Sequence, residues 1–236
     1  MNKMLQQIQV VLFSPEIAIP DKLKLAHCIN EATSGQFNGD PMILPIPDDA
    51  PQEIPRIQLR SKDGQHILSV TKIRLDYVLQ SPGDHDSLSL PDTDLFERIA
   101  AILLYMKDSG HAQITRCGIM TNWVIGLDKG PAANHLLSTY IKDQTAIIDP
   151  IELELHCLTN NTVANRKVNF WTHLRSARKK SDPEQDAFVA ILMDMNTSAE
   201  LPSDFDEDSV QAFLKESSCI MNSTLGKHIA AMEAVQ

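Results

Sequence analysis

Five prolines crowd the stretch GDPMILPIPDDAPQEIP at positions 39–55: Pro41, Pro45, Pro47, Pro51 and Pro55. Each ring fixes φ and removes a backbone donor, so the stretch can be neither a helix nor a central strand. It is expected to be an extended, ordered connector. No two of these prolines fall at i and i+3, so the tract has no PxxP register for a polyproline-binding partner.

The alternation on either side of the tract shows what it connects. Residues 7–13 (QIQVVLF) are β-rich and read as a first strand. Pro20 and Asp21 then open a helix whose apolar positions are Leu23, Ala26, Cys28, Ile29 and Ala32, closed by Gly35. After the tract, residues 56–61 alternate, turn at Asp63-Gly64 and return through 66–79 as one strand of a hairpin. The polar run 81–92 reads as a loop. Thr93 is expected to cap a helix presenting Leu95, Phe96, Ile99, Ile102, Leu103 and Met106. Gly110 ends it.

Residues 113–127 read as a long strand and 131–141 as a short helix with Pro131 in its first turn. Three strands follow, over 148–158, 167–174 and 187–195. Asp206 and Asp208 then lead into a terminal helix presenting Val210, Phe213, Leu214, Met221 and Leu225. The order is β-α-β-β-α followed by β-α-β-β-β-α. It predicts one α+β domain over residues 1–236, with two halves (1–110 and 111–236) that resemble each other in element order. Its sheet would be largely antiparallel, a hairpin plus a C-terminal meander, with helices on one side.

Charge narrows the function. With 31 acidic against 21 basic residues the formal charge is −10, which repels a phosphate backbone. Aromatic residues make up 5%, too few for a stacking platform. No window approaches the ~20 apolar residues of a membrane helix, and residues 1–13 do not read as a signal peptide. A cytoplasmic protein is expected, with Cys28, Cys117, Cys157 and Cys219 reduced and buried.

Chemical motifs are absent. There is no GxSxG elbow, and the turn Gly126-Leu127-Asp128-Lys129-Gly130 lacks Walker spacing. Asp84-His85-Asp86 is the densest cluster of metal-ligating types, but it lies in a Ser/Gly loop where such side chains are ordinarily solvated. His27 and Cys28 are adjacent on a helix and diverge. No metal and no cofactor are expected, and the residues leave a small-molecule ligand unknown. Arg175, Arg178, Lys179 and Lys180 form the one basic concentration, a candidate phosphate contact. Asp182, Glu184 and Asp186 follow it and cancel much of its field, so nucleic-acid binding is not expected.

The C-terminal meander carries the candidate site. Ile151, Leu153, Leu155 and Cys157 alternate with Glu152, Glu154 and His156. On the next strand Val168, Phe170, Thr172 and Leu174 alternate with Asn169, Trp171 and His173. The apolar sets are expected to make core. The other face would expose Glu152, Glu154, His156, Trp171 and His173 as an interaction surface, with the two acids facing Trp171 and His173.

The stretch 39–78 resembles a sporadically distributed family of bacterial proteins of unknown function, about 250 residues long. The match rests on the Pro-rich lead, Ile54 to Arg60, the Ser61-Lys62-Asp63-Gly64 turn, a second strand through Ser69 to Leu75, and an Asp76-Tyr77-Val78 tail. The helix-then-strand block over 96–125 is compatible with it. The resemblance transfers no catalytic residue, and the family's scattered distribution implies mobile defence or toxin–antitoxin genes.

Two functions follow. One is a non-enzymatic protein-interaction component, acting on a protein partner or as a homodimer. The other is an enzyme or nucleic-acid-processing subunit with a dispersed site, which would be marked by polar residues converging in one pocket, such as His85 with Asp76 or His66.

Overall fold

The computed structural model describes residues 1–47, 49–83, 87–127, 130–142, 147, 150–178 and 187–235, the side chains of Arg178 and Ala187 apart. Among them the chain runs β1 (Asn2–Phe13), α1 (Lys22–Ala32), β2 (Met42–Ile43), β3 (Ile57–Arg60), β4 (His66–Val70), β5 (Arg74–Gln80) and α2 (Thr93–Asp108). The second half runs β6 (Arg116–Gly126), α3 (Ala132–Tyr140), β7 (Glu154–Val163), β8 (Arg166–Arg178), β9 (Ala187–Thr197) and α4 (Glu207–Glu233). All nine strands join one antiparallel sheet in the order β2-β3-β4-β5-β1-β6-β9-β8-β7. The α+β class, the antiparallel sheet and the one-sided helices are as expected.

Where 66–79 was read as one strand, the chain turns. The Thr71 backbone N–H donates to the Arg74 carbonyl (3.0 Å), and the Thr71 hydroxyl oxygen accepts from the N–H groups of Ile73 and Arg74. A threonine side chain closes this turn without the glycine or proline that would have announced it. Apart from the two-residue β2, both halves therefore run β-α-β-β-β-α, and β1 pairs with β6 along the seam between them.

The proline tract lies at the sheet margin. Only Met42 and Ile43 pair with β3, and the Leu44 N–H donates to the Arg56 carbonyl. The loop beyond returns to the sheet, where the Lys72 N–H reaches the Gln52 carbonyl and the buried Arg56 guanidinium donates to the Ala50 carbonyl at 3.2 Å. Gly39 approaches the Arg60 backbone so closely that a Cβ would lie 2.8 Å from its carbonyl oxygen.

The helices begin where short polar side chains accept their free N–H groups. Asp21 caps α1, and Asp206 with Ser209 forms a capping box on α4. At α2 the cap is Asp92, one residue before the expected Thr93; its carboxylate accepts from the Leu95 N–H at 2.8 Å. The predicted apolar positions of α2 and α4 are all buried. They face Leu5, Ile8, Val10 and Leu12 of β1, Cys117, Ile119, Trp123 and Ile125 of β6, and Val189, Ile191, Met193 and Met195 of β9. Among the described residues no helix is long and apolar enough to cross a membrane.

Strand β7 departs most from expectation. It starts at Glu154 and runs to Val163, where Ala164 (φ 46°) and Asn165 (φ 62°) make a two-residue hairpin turn into β8. Left-handed backbone at both positions is the I′ geometry that normally calls for Asn-Gly. An alanine there is strained by about 1 kcal/mol. Ala164→Asn is therefore expected to raise the unfolding free energy by about 0.5–1 kcal/mol, read by denaturant melts; no gain would mean a different turn.

Because β7 is the last strand, the helices only partly reach it. Ile151 is 74% exposed and Cys157 is exposed, while Leu153 and Leu155 are half-buried, so the expected core stripe holds only at its middle. Of the cysteines, all free thiols, Cys117 is buried and Cys28 half-buried, but Cys157 and Cys219 are exposed. Four mostly buried thiols are the expectation from sequence, but the sheet edge and the outer side of α4 expose these two.

Candidate functional site

Side-chain alternation in a sheet covered by helices on one side leaves the other face open. In the C-terminal half this face is built of cross-strand rows. Glu154 lies opposite Arg175, then Ala190 and Val124; His156 opposite His173, then Leu192 and Asn122. Leu158 lies opposite Trp171, then Asp194 and Met120. Every inward neighbour on β8, from Val168 through Phe170 and Thr172 to Leu174, is buried, whereas Trp171 is 38% exposed.

The rows bring most of the expected residues together. The His156 and His173 rings are in contact, tilted by 54° with centroids 3.7 Å apart, and Trp171 meets His173 edge-on at 6.3 Å. The Glu154 carboxylate lies 3.5 Å from His156 Nε2 and 3.9 Å from Arg175 Nε. Asp194 lies beside Trp171 on β9 and accepts from the Asn196 amide at 3.3 Å. Burial raises the Asp194 carboxyl above the usual carboxylate range, opposed by that hydrogen bond and by nearby His173. Glu152 sits two residues before β7 and is exposed.

The acids do not face the tryptophan as expected. Glu154 faces Arg175, and Leu158 faces Trp171. The turn at Ala164-Asn165 sets this register, and a strand ending at Leu158 could not have supplied it. Leu158, Leu192 and Asp194 are the members that sequence reasoning missed. Leu158 alternates correctly with His156 in the sequence, but only the pairing shows that it touches the Trp171 row.

Arg175 belongs to this face and pairs with Glu154. Arg178 ends β8, and Lys179 and Lys180 lie outside the described residues, as do Asp84, His85 and Asp86. Among the described residues no three His, Cys, Asp or Glu side chains are grouped to hold a metal.

The expected convergence of His85 with Asp76 or His66 lies outside the described residues, and Asp76 and His66 themselves sit on opposite faces of the sheet. Asp76 is on the open face with Arg74 (2.9 Å) and Gln9 (3.1 Å), whereas His66 is in register with Leu79 on the helix-covered side. There His66 Nδ1 lies 3.0 Å from the Tyr77 hydroxyl, which also bonds Arg98. Tyr77 is 1% exposed and packs against Phe37 at 5.4 Å, and together with the half-buried His66 and Arg98 it ties the hairpin to α2.

No protein-family model matches the sequence, and no curated protein matches it significantly. The site therefore stands on its own geometry, which is an aromatic and imidazole cluster, ringed by charge, on a sheet face that no described helix covers.

Proposed function

We propose that this protein is a non-enzymatic, cytoplasmic interaction component that binds a protein partner through the open face of the β7–β8–β9 meander. The observation that carries the reading is Trp171, 38% exposed on a sheet face that no described helix covers, collared by His173, His156 and Leu158. An amphipathic aromatic anchor inside a charged rim is the composition that interface centres favour. Glu154, Arg175 and Asp194 supply the rim. The formal charge of −10 speaks against nucleic acid as the partner. The resemblance over 39–78 supports a place in a bacterial defence or toxin–antitoxin system, whose components commonly act in pairs.

Co-expression with the products of the adjacent genes tests this. A stoichiometric partner is expected to co-purify with the wild type and to be weakened at least tenfold by Trp171→Ala, about 1.4 kcal/mol or more. Retention of the partner at undiminished affinity by Trp171→Ala and by Leu192→Asp would overturn the reading. So would failure of every adjacent product to bind.

A further inference from the structure

The two edges of the sheet are unequal. At one end β2 pairs over only two residues, in a segment carrying Pro41, Pro45 and Pro47, so few donors face outward. At the other end β7 is ten residues long, with no proline, glycine, lysine or arginine, and seven of its ten residues are exposed. Such an uninterrupted edge is what sheets ordinarily blunt.

Its free hydrogen-bonding groups can be assigned by parity. The Leu153 carbonyl accepts from the Ser176 N–H, and the hairpin turn closes on the pair Val163 and Arg166. Odd-numbered residues of β7 therefore direct their N–H and C=O groups to β8. Glu154, His156, Leu158, Asn160 and Thr162 direct theirs outward. Among the described residues, no strand pairs with them.

We propose that β7 pairs antiparallel with β7 of a second copy, giving a closed two-fold dimer with a continuous eighteen-stranded sheet. One register engages all five outward residues on both copies: Leu158 opposite Leu158, His156 opposite Asn160, and Glu154 opposite Thr162. The strand is self-complementary in it. No carboxylate meets a carboxylate, and each Glu154 lies between its own Arg175 and Lys167 of the other copy, the latter two strands or about 10 Å away. The exposed Leu158 and Trp171 of each copy become one apolar stripe across the seam. Because the β2 edge is closed, the pairing is isologous and stops at two copies. This goes beyond the face contact proposed above and is independent of it, since it uses backbone at the edge and leaves the open face available.

Light scattering and non-reducing electrophoresis test the pairing. The wild type is expected at twice the 26.3 kDa chain mass at about 50 µM. Leu158→Pro removes a donor from the outward edge without removing a bond to β8, so it should halve the mass while the melting temperature changes little. In the proposed register Thr159 faces Cys157 of the other copy, both exposed. Thr159→Cys should therefore lock the dimer through reducible disulfides, a gain of signal that does not depend on the proline variant folding. A wild type that is monomeric at this concentration overturns the proposal, as does a Thr159→Cys protein that stays uncross-linked under oxidation. A dimer that survives Leu158→Pro but dissociates in Trp171→Ala would place the contact on the sheet face and overturn the edge pairing alone.

Discussion

Phe170→Ala is expected to lower the unfolding free energy by about 3–5 kcal/mol, and Trp171→Ala, one residue further on, to change it by less than about 1 kcal/mol. The two side chains leave β8 on opposite faces. Phe170 is 4% exposed, in a row with Met195 and beneath the helical layer, so its removal opens a cavity that neighbouring strands cannot close. Trp171 is partly in water already and contacts His173 at its edge. For a chain of this length 1 kcal/mol shifts the melting temperature by about 2–4 °C, so the first variant should melt about 10 °C lower and the second close to wild type. Calorimetry on both decides the face assignment. Equal losses would mean that Trp171 is core and that the interaction surface lies elsewhere.

Tyr77→Ala is the second large loss, again about 3–5 kcal/mol, with Tyr77→Phe intermediate at about 1–3 kcal/mol. The ring fills space against Phe37, while the buried hydroxyl partners the half-buried His66 and Arg98. Removing only the hydroxyl leaves two polar groups short of a partner, so the phenylalanine variant separates the network from the packing. Urea melts would read both, and a Tyr77→Phe variant as stable as wild type would show that the network contributes nothing.

The same network makes the fold acid-sensitive. Burial is the main cause that holds His66 below the usual histidine value, with Arg98 adding to it; burial alone does the same for His228, whose Nδ1 lies 2.8 Å from the Tyr140 hydroxyl. The unfolded chain takes up these protons near 6.5 and the folded chain only at lower pH. Stability from the neutral imidazoles is thus present above 6.5 and lost as pH falls from there toward the depressed folded values. Asp76 and Asp194, raised by burial, act in the opposite sense once pH reaches the carboxylate range. The melting temperature should fall between pH 7.5 and 5.5, and His66→Gln with His228→Gln should flatten that fall.

Helices were the most legible elements in the sequence. Leu95, Phe96, Ile99, Ile102, Leu103 and Met106 recur at helical spacing, and all are buried. A 3.6-residue period needs no partner to be recognised. Strand alternation likewise separated Phe170 from Trp171. The turns were less legible, because Thr71 and Ala164-Asn165 do their work without the glycine that signals such turns.

Local pattern, then, determined which residues pair with helix and which with strand, and which side of each strand is apolar. It also barred the proline tract from the middle of the sheet. Register, strand order and edges were left to the tertiary structure, because they depend on residues far apart in the chain. Pairing put β7 at the margin, where Cys157 and Ile151 lose the cover their alternation implied. It set Leu158 on one side of Trp171 and Asp194 on the other, a cluster drawn from three strands. A period-2 pattern fixes the face a side chain takes, but its neighbours on that face are fixed only when strands separated in sequence hydrogen-bond in one register.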